Sequence, residues 1–102
     1  MSQKILTTNF TFSVSRGEFK AMVDQLAQAF ADVPGCVWKI WLIAADKQEA
    51  GAVYLFADDA ALQTFKGSAL VASVLAHPAL SNFELRERDI VVDASAITRA
   101  PL

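Results

Sequence analysis

Three side chains in this sequence could move a proton or hold a charge among aromatic neighbours: Tyr54, His77 and Arg86. Of all the side chains here, His77 alone titrates near neutrality without help. It directly precedes Pro78 at the end of an apolar run, so closing a helix is its default role and proton transfer the sharper alternative. Arg86 and Arg88 are two residues apart in a charged stretch and face the same way if that stretch is extended. Ion pairs with Glu84 or Glu87 would explain them equally well. Tyr54 shares a face with Phe56, and its hydroxyl needs a partner if it is buried. Trp38 and Trp41 flank Lys39, for which a cross-strand pair with Glu49 is the simplest expectation. Cys36 follows Pro34-Gly35 with no adjacent base or cation in sequence to lower its pKa, so it reads as an inert thiol.

The elements that would position these groups follow from periodicity. Residues 4–14 alternate Leu6, Thr8, Phe10, Phe12 and Val14 against a mostly polar set, which predicts a strand. Ser15-Arg16-Gly17-Glu18 has the pattern of a capping box. Phe19, Met22, Val23, Leu26 and Phe30 then recur at helical spacing over residues 17–32, ended by Pro34-Gly35. Residues 37–45 and 50–57 predict a hairpin around Asp46-Lys47-Gln48-Glu49. Its strands are apolar on both faces, with Trp38, Ile40 and Leu42 on one side and Val37, Trp41 and Ile43 on the other. Asp58 or Asp59 can cap a second helix through Leu62 and Phe65. It is interrupted at Gly67-Ser68 and resumes over residues 69–76. A last strand is predicted over residues 83–92, and residues 93–102 read as a tail without structure of their own.

The order strand, helix, strand, strand, helix, strand is the ferredoxin-like βαββαβ arrangement, an α+β fold with helices on one face of an antiparallel sheet. The other face, apolar in the hairpin, is left to pair with a second copy, so a homodimer is expected. The chain has 102 residues, which predicts one domain over 1–102. Apolar residues make up 54% and charged residues 20%, which excludes a disordered chain. A net charge of −2 argues against a nucleic-acid partner. No stretch is apolar enough for a membrane span, and the first ten residues lack a signal-peptide pattern, so a cytoplasmic domain is expected. The single cysteine and single histidine offer no metal-ligand spacing. No nucleophile elbow, phosphate loop or dinucleotide fingerprint is present.

Two blocks carry a resemblance. Pro34-Gly35-x-x-Trp38-Lys39-x-Trp41, followed by Glu49-Ala50-Gly51-x-x-Tyr54-Leu55-Phe56, resembles the YdhR-like monooxygenases, in the dimeric α/β-barrel superfamily that includes antibiotic-biosynthesis monooxygenases. The resemblance runs from the first strand to Ser95-x-Ile97. It departs at Lys66-Gly67-Ser68-Ala69-Leu70, where relatives often have a longer, more polar helix with an internal His. It departs again at Asp89-Ile90-Val91-Val92-Asp93, where an Asn and a Pro are common.

The resemblance implies a dimeric α/β barrel and a monooxygenase needing no cofactor, acting on a small hydrophobic aromatic or polyketide-like compound. In similar oxygenases a phenolic substrate loses a proton and its anion reduces dioxygen. By that likeness Tyr54, Arg86 and His77 are the candidate catalytic groups, with Arg86 polarising the phenolate. Trp38, Trp41, Phe56, Asn9 and Phe65 are the candidate substrate contacts. Haem-degrading relatives use an Asn near Asn9 with a Trp and a His. Here Phe65 takes about the Trp position and His77 is out of register, so haem is not expected. A non-catalytic small-ligand or stress-response module and a lactone isomerase are the alternatives the same fold implies.

Overall fold

A computed structural model describes residues 2–102. The chain folds as β1 (Lys4–Phe12), α1 (Arg16–Ala31), β2 (Cys36–Ala44), a 3-10 turn (Ala45–Lys47), β3 (Glu49–Phe56), α2 (Asp59–Lys66), α3 (Ala69–Leu75), β4 (Leu80–Asp89) and α4 (Val92–Ile97). The strands form one antiparallel sheet in the order β2-β3-β1-β4. The fold is α+β and ferredoxin-like, as the order of elements predicts.

Alternation in β1 buries Leu6 and Phe12 on the side that meets the helices. At α1 the capping box is half formed. The Glu18 amide donates to Ser15 Oγ at 3.1 Å, while the Glu18 carboxylate accepts from the Ser15 hydroxyl at 3.0 Å and leaves the Ser15 amide alone. Asp58 and Ser68 cap α2 and α3 through the Ala61 and Val71 amides. Gly35 turns the chain into β2 at φ +78°, and a Cβ there would stand 2.4 Å from the Cβ of Ala61. Only glycine meets both demands.

Two apolar clusters result. Leu6, Phe30, Tyr54, Phe56, Leu62 and Phe65 anchor the larger; Phe12, Phe19, Ala50 and Leu80 form the smaller. Register then orients the hairpin. Lys39 lies opposite Tyr54, Trp41 opposite Ala52 and Ile43 opposite Ala50, so these face the helices. Trp38, Ile40 and Leu42 face away, and a bulge between Cys36 and Trp38 shifts the alternation at the strand's start.

Three expectations are corrected. The first strand stops at Phe12, and Val14 packs beside the smaller cluster instead of extending the ladder. The last strand is Leu80–Asp89 rather than residues 83–92. Its partner β1 begins at Lys4, which lies opposite Asp89, so Ile90 onward has no strand to pair with. The tail also has structure: α4 forms, and Trp38 Nε1 donates to the Pro101 carbonyl at 2.7 Å, fastening the chain end to the hairpin. Among the described residues no helix is long and apolar enough to cross a membrane.

Candidate functional site

Between the sheet and helices α1 and α3 lies a cavity of about 290 Å³ that borders both apolar clusters. That is near the lower end of the range for small-molecule sites. Its walls are mainly aliphatic and aromatic, with Phe10, Phe30, Trp41, Tyr54 and Phe65 supplied by five different elements. Phe30 meets the edge of Trp41 at 5.3 Å between ring centroids, and Tyr54 leans on Phe65 at 5.2 Å.

Within this wall stands Lys39. Its Nζ sits 3.4 Å from the ring centroids of both Phe30 and Trp41 and 4.7 Å from that of Tyr54. The strand makes this unavoidable: period-two alternation puts residue 39 on the same face as Trp41, beneath α1. The expected pair with Glu49 does not form, because Glu49 lies opposite Ala44, five residues along the strand. Burial pushes the Lys39 ammonium down to about 7, opposed by the nearby Cys36 sulfur. The ring faces also favour the charged form. Burial wins because an ammonium removed from water loses more than two aromatic faces return.

Tyr54 is the second polar group. Burial, then the Cys36 charge, raises its phenol well above the ordinary value, so it keeps its proton and can donate. Neither the Tyr54 hydroxyl nor Lys39 Nζ has a hydrogen-bond partner among the described residues, and neither is sealed from accessible space. Burial also raises the Cys36 thiol, against the pull of Lys39. The thiol reaches the Trp38 carbonyl at 3.6 Å. The site therefore offers two donors to an acceptor atom inside an apolar cavity, and one of them, as the free amine, can take up a proton.

The sequence-derived candidates separate into two groups. Tyr54, Trp41 and Phe65 come together on the cavity wall, with Phe56 stacked behind Tyr54 at 5.8 Å. Arg86 lies opposite Thr7 on the face turned from the helices and pairs with Glu84 at 3.3 Å. Asn9 and Trp38 share that far face. His77 stays in the turn after α3, where Nδ1 accepts the Ala79 amide at 3.1 Å. The structure thus does not bring Arg86, His77, Asn9 or Trp38 to this cavity. Sequence reasoning missed Lys39 as a site residue, although part of the signal was present: a lysine at even spacing from Trp41 in an otherwise apolar strand.

A family profile described as "Putative mono-oxygenase ydhR" matches residues 5–101. The chain belongs to this ydhR family. The match spans both clusters and every wall of the cavity. No curated protein matches the chain in sequence. Among solved structures, SnoaB from Streptomyces nogalater, a cofactor-independent oxygenase, is similar at TM-score 0.70 and 20% identity, over 91% of this chain and 100% of SnoaB. The heme-degrader MhuD from Mycobacterium tuberculosis is similar at TM-score 0.67 and 19% identity, over 88% of this chain and 97% of MhuD. Protein SO0527 from Shewanella oneidensis matches at TM-score 0.72 and 14% identity, over 87% and 91% of the two chains. At these identities the likeness establishes a fold shared with these proteins.

Proposed function

We propose that the chain is a cofactor-independent monooxygenase that oxidises a small hydrophobic aromatic compound in the cavity beneath α1. The observation that carries this reading is Lys39, a half-buried amine facing an aromatic cavity with no acidic partner among the described residues. Near neutral pH a large share of it is free amine, able to take the proton of an acidic phenol or of the tautomeric methylene of an anthrone. The ammonium so formed then stands beside the substrate anion, and the Tyr54 hydroxyl can donate to the same oxygen. The anion passes an electron to dioxygen, and the radical pair combines to a hydroperoxide. Loss of water leaves a ketone at the former methylene carbon. One oxygen atom ends in the product and the other in water.

Oxygen uptake with anthrones and polycyclic phenols, without added cofactor, tests this. Wild type should consume oxygen above the uncatalysed rate, and Lys39→Met should lower the rate roughly a hundredfold, within the range general-base catalysis supplies. Arg86→Ala, run alongside, separates two placements of the oxyanion site. A loss there with Lys39→Met unaffected would move the site to the far face of the sheet. Unchanged recovery of the compounds, with saturable quenching of tryptophan fluorescence, would indicate a binding module instead. That second reading is favoured by how few polar groups line the cavity. Turnover of a lactone under nitrogen would indicate proton transfer alone.

A homodimer belongs to the same proposal. Ile40 and Leu42, 49% and 47% exposed, lie beside Val53 on the sheet face turned from α1. A two-fold axis covers this face with a second copy of itself. Light scattering of wild type at micromolar concentration should give twice the chain mass, and Ile40→Glu should give the monomer. A wild-type monomer would refute the dimer.

A further inference from the structure

The cavity has a charge preference that its apolar walls conceal. Although the chain carries a net charge of −2, no Asp or Glu among the described residues borders the cavity, whereas Arg16, Lys20 and Lys39 all do. Lys20 is partly neutralised by Asp24 at 3.1 Å. Arg16 and Lys39 have no acidic partner among the described residues. As the ammonium, Lys39 can only donate, and the Tyr54 hydroxyl is able to donate beside it, so the atom that satisfies both must be an acceptor. A neutral carbonyl would meet the hydrogen bonds but would leave the half-buried ammonium uncompensated. We propose that the cavity takes an apolar molecule as its anion, with an ionised oxygen acid, a carboxylate or an enolate, seated on the Lys39 ammonium. This rests on the reading that the cavity is the ligand site, and it is independent of any reaction with oxygen.

Protons follow from this. The groups able to influence Lys39 are few. Cys36 lies on its own strand and Tyr54 on β3, while Arg16 and Lys20 reach the cavity from α1. The cavity faces of β1, β4, α2 and α3 contribute no charged side chain among the described residues. The nearest acid on the helix side of β4, Glu87, is tied to Lys66 and Gln63. Without ligand, burial holds Lys39 at about 7. A bound anion favours the ammonium and raises it. Above that value, then, binding must draw a proton from solution, and affinity falls as pH rises.

The test uses matched pairs with one apolar body each: 2-naphthoate against 2-naphthamide, and 4-hydroxycoumarin against 4-methoxycoumarin. Calorimetric titration at pH 6 and pH 8.5, in buffers of differing ionisation enthalpy, gives affinity and proton uptake together. At pH 6 the acid of at least one pair should bind roughly ten- to a hundredfold more tightly than its neutral partner, as a charge-assisted hydrogen bond confers. The pair that shows the preference tells carboxylate from enolate. Uptake should approach one proton per ligand at pH 8.5 and be small at pH 6. Lys39→Met should bind acid and neutral compound alike. Equal binding of both by the wild type, or a preference surviving in Lys39→Met, would overturn the acid and leave the cavity as the site. If no compound of either pair binds, both the inference and the site reading fall.

Discussion

Lys39→Met should make the protein more stable at neutral pH while removing the group on which the proposed chemistry depends. The sign follows from linkage. Lysine in the unfolded chain holds its proton to about pH 10.4, whereas in the folded chain burial lowers that value to about 7. Between the two, the unfolded chain binds a proton that the folded chain has released. Stability therefore rises with pH across this window. Below pH 7 both states are protonated, and the cost of holding an ammonium in an apolar wall is present in full. The whole shift corresponds to about 4–5 kcal/mol. The Phe30 and Trp41 ring faces and the accessible space of the cavity return part of it. A gain of about 2 kcal/mol for Lys39→Met at pH 6.5, vanishing near pH 10, is the expected outcome. Urea unfolding at both pH values and one protein concentration measures it, and an equal difference at the two would show that the amine's charge is not its source. Methionine is similar in length, fits among aromatic rings and loses only the charge.

A second substitution should have the opposite and larger effect. Gly51 lies in the middle of β3, opposite Asn9 of β1 and Leu42 of β2. A Cβ there would stand 2.0 Å from the Thr8 carbonyl oxygen and 3.2 Å from the Asn9 Cα. The obstruction is backbone on a central strand, which cannot move without parting the β1–β3 ladder. Gly51→Ala should cost about 3 kcal/mol or more and lower the thermal midpoint by roughly 10 °C or more. A midpoint within about 2 °C of wild type would mean the two strands are less closely apposed than here.

The fold was readable because each element announced itself locally. The start of the first strand at Lys4, the Ser15 and Asp58 caps, and the Gly67-Ser68 break between α2 and α3 all correspond to observed boundaries. The misplacement of β4 has a different origin. Ile90-Val91-Val92 is β-branched and apolar, so local preference favours a strand, but pairing decides, and the β1 partner ends at Lys4. The site was less readable for the same reason. Arg86 and Tyr54 both suit an oxyanion, yet which face each takes depends on how β1, β3 and β4 are aligned. That alignment sets Glu87 and Leu85 toward the helices and Arg86 away from them. Lys39 was the reverse case. Its face followed from its spacing to Trp41, but its isolation from any acid appears only once Glu49 is seen opposite Ala44.

The position of β2 in the sheet has its own consequence. Lys39 is carried by an edge strand, held to the molecule by a single ladder of hydrogen bonds to β3 and by packing beneath α1. The largest sealed side chains, Leu6, Phe12, Leu55, Phe56 and Leu62, belong to β1, β3 and α2. The amine is thus mounted on a hinge-like margin and its foundation on a fixed centre. Opening of β2 away from α1 would leave the β1–β3 centre intact, so it would cost less than global unfolding. Exposure of Lys39 to solvent and melting of the core are thus governed by separate parts of the chain.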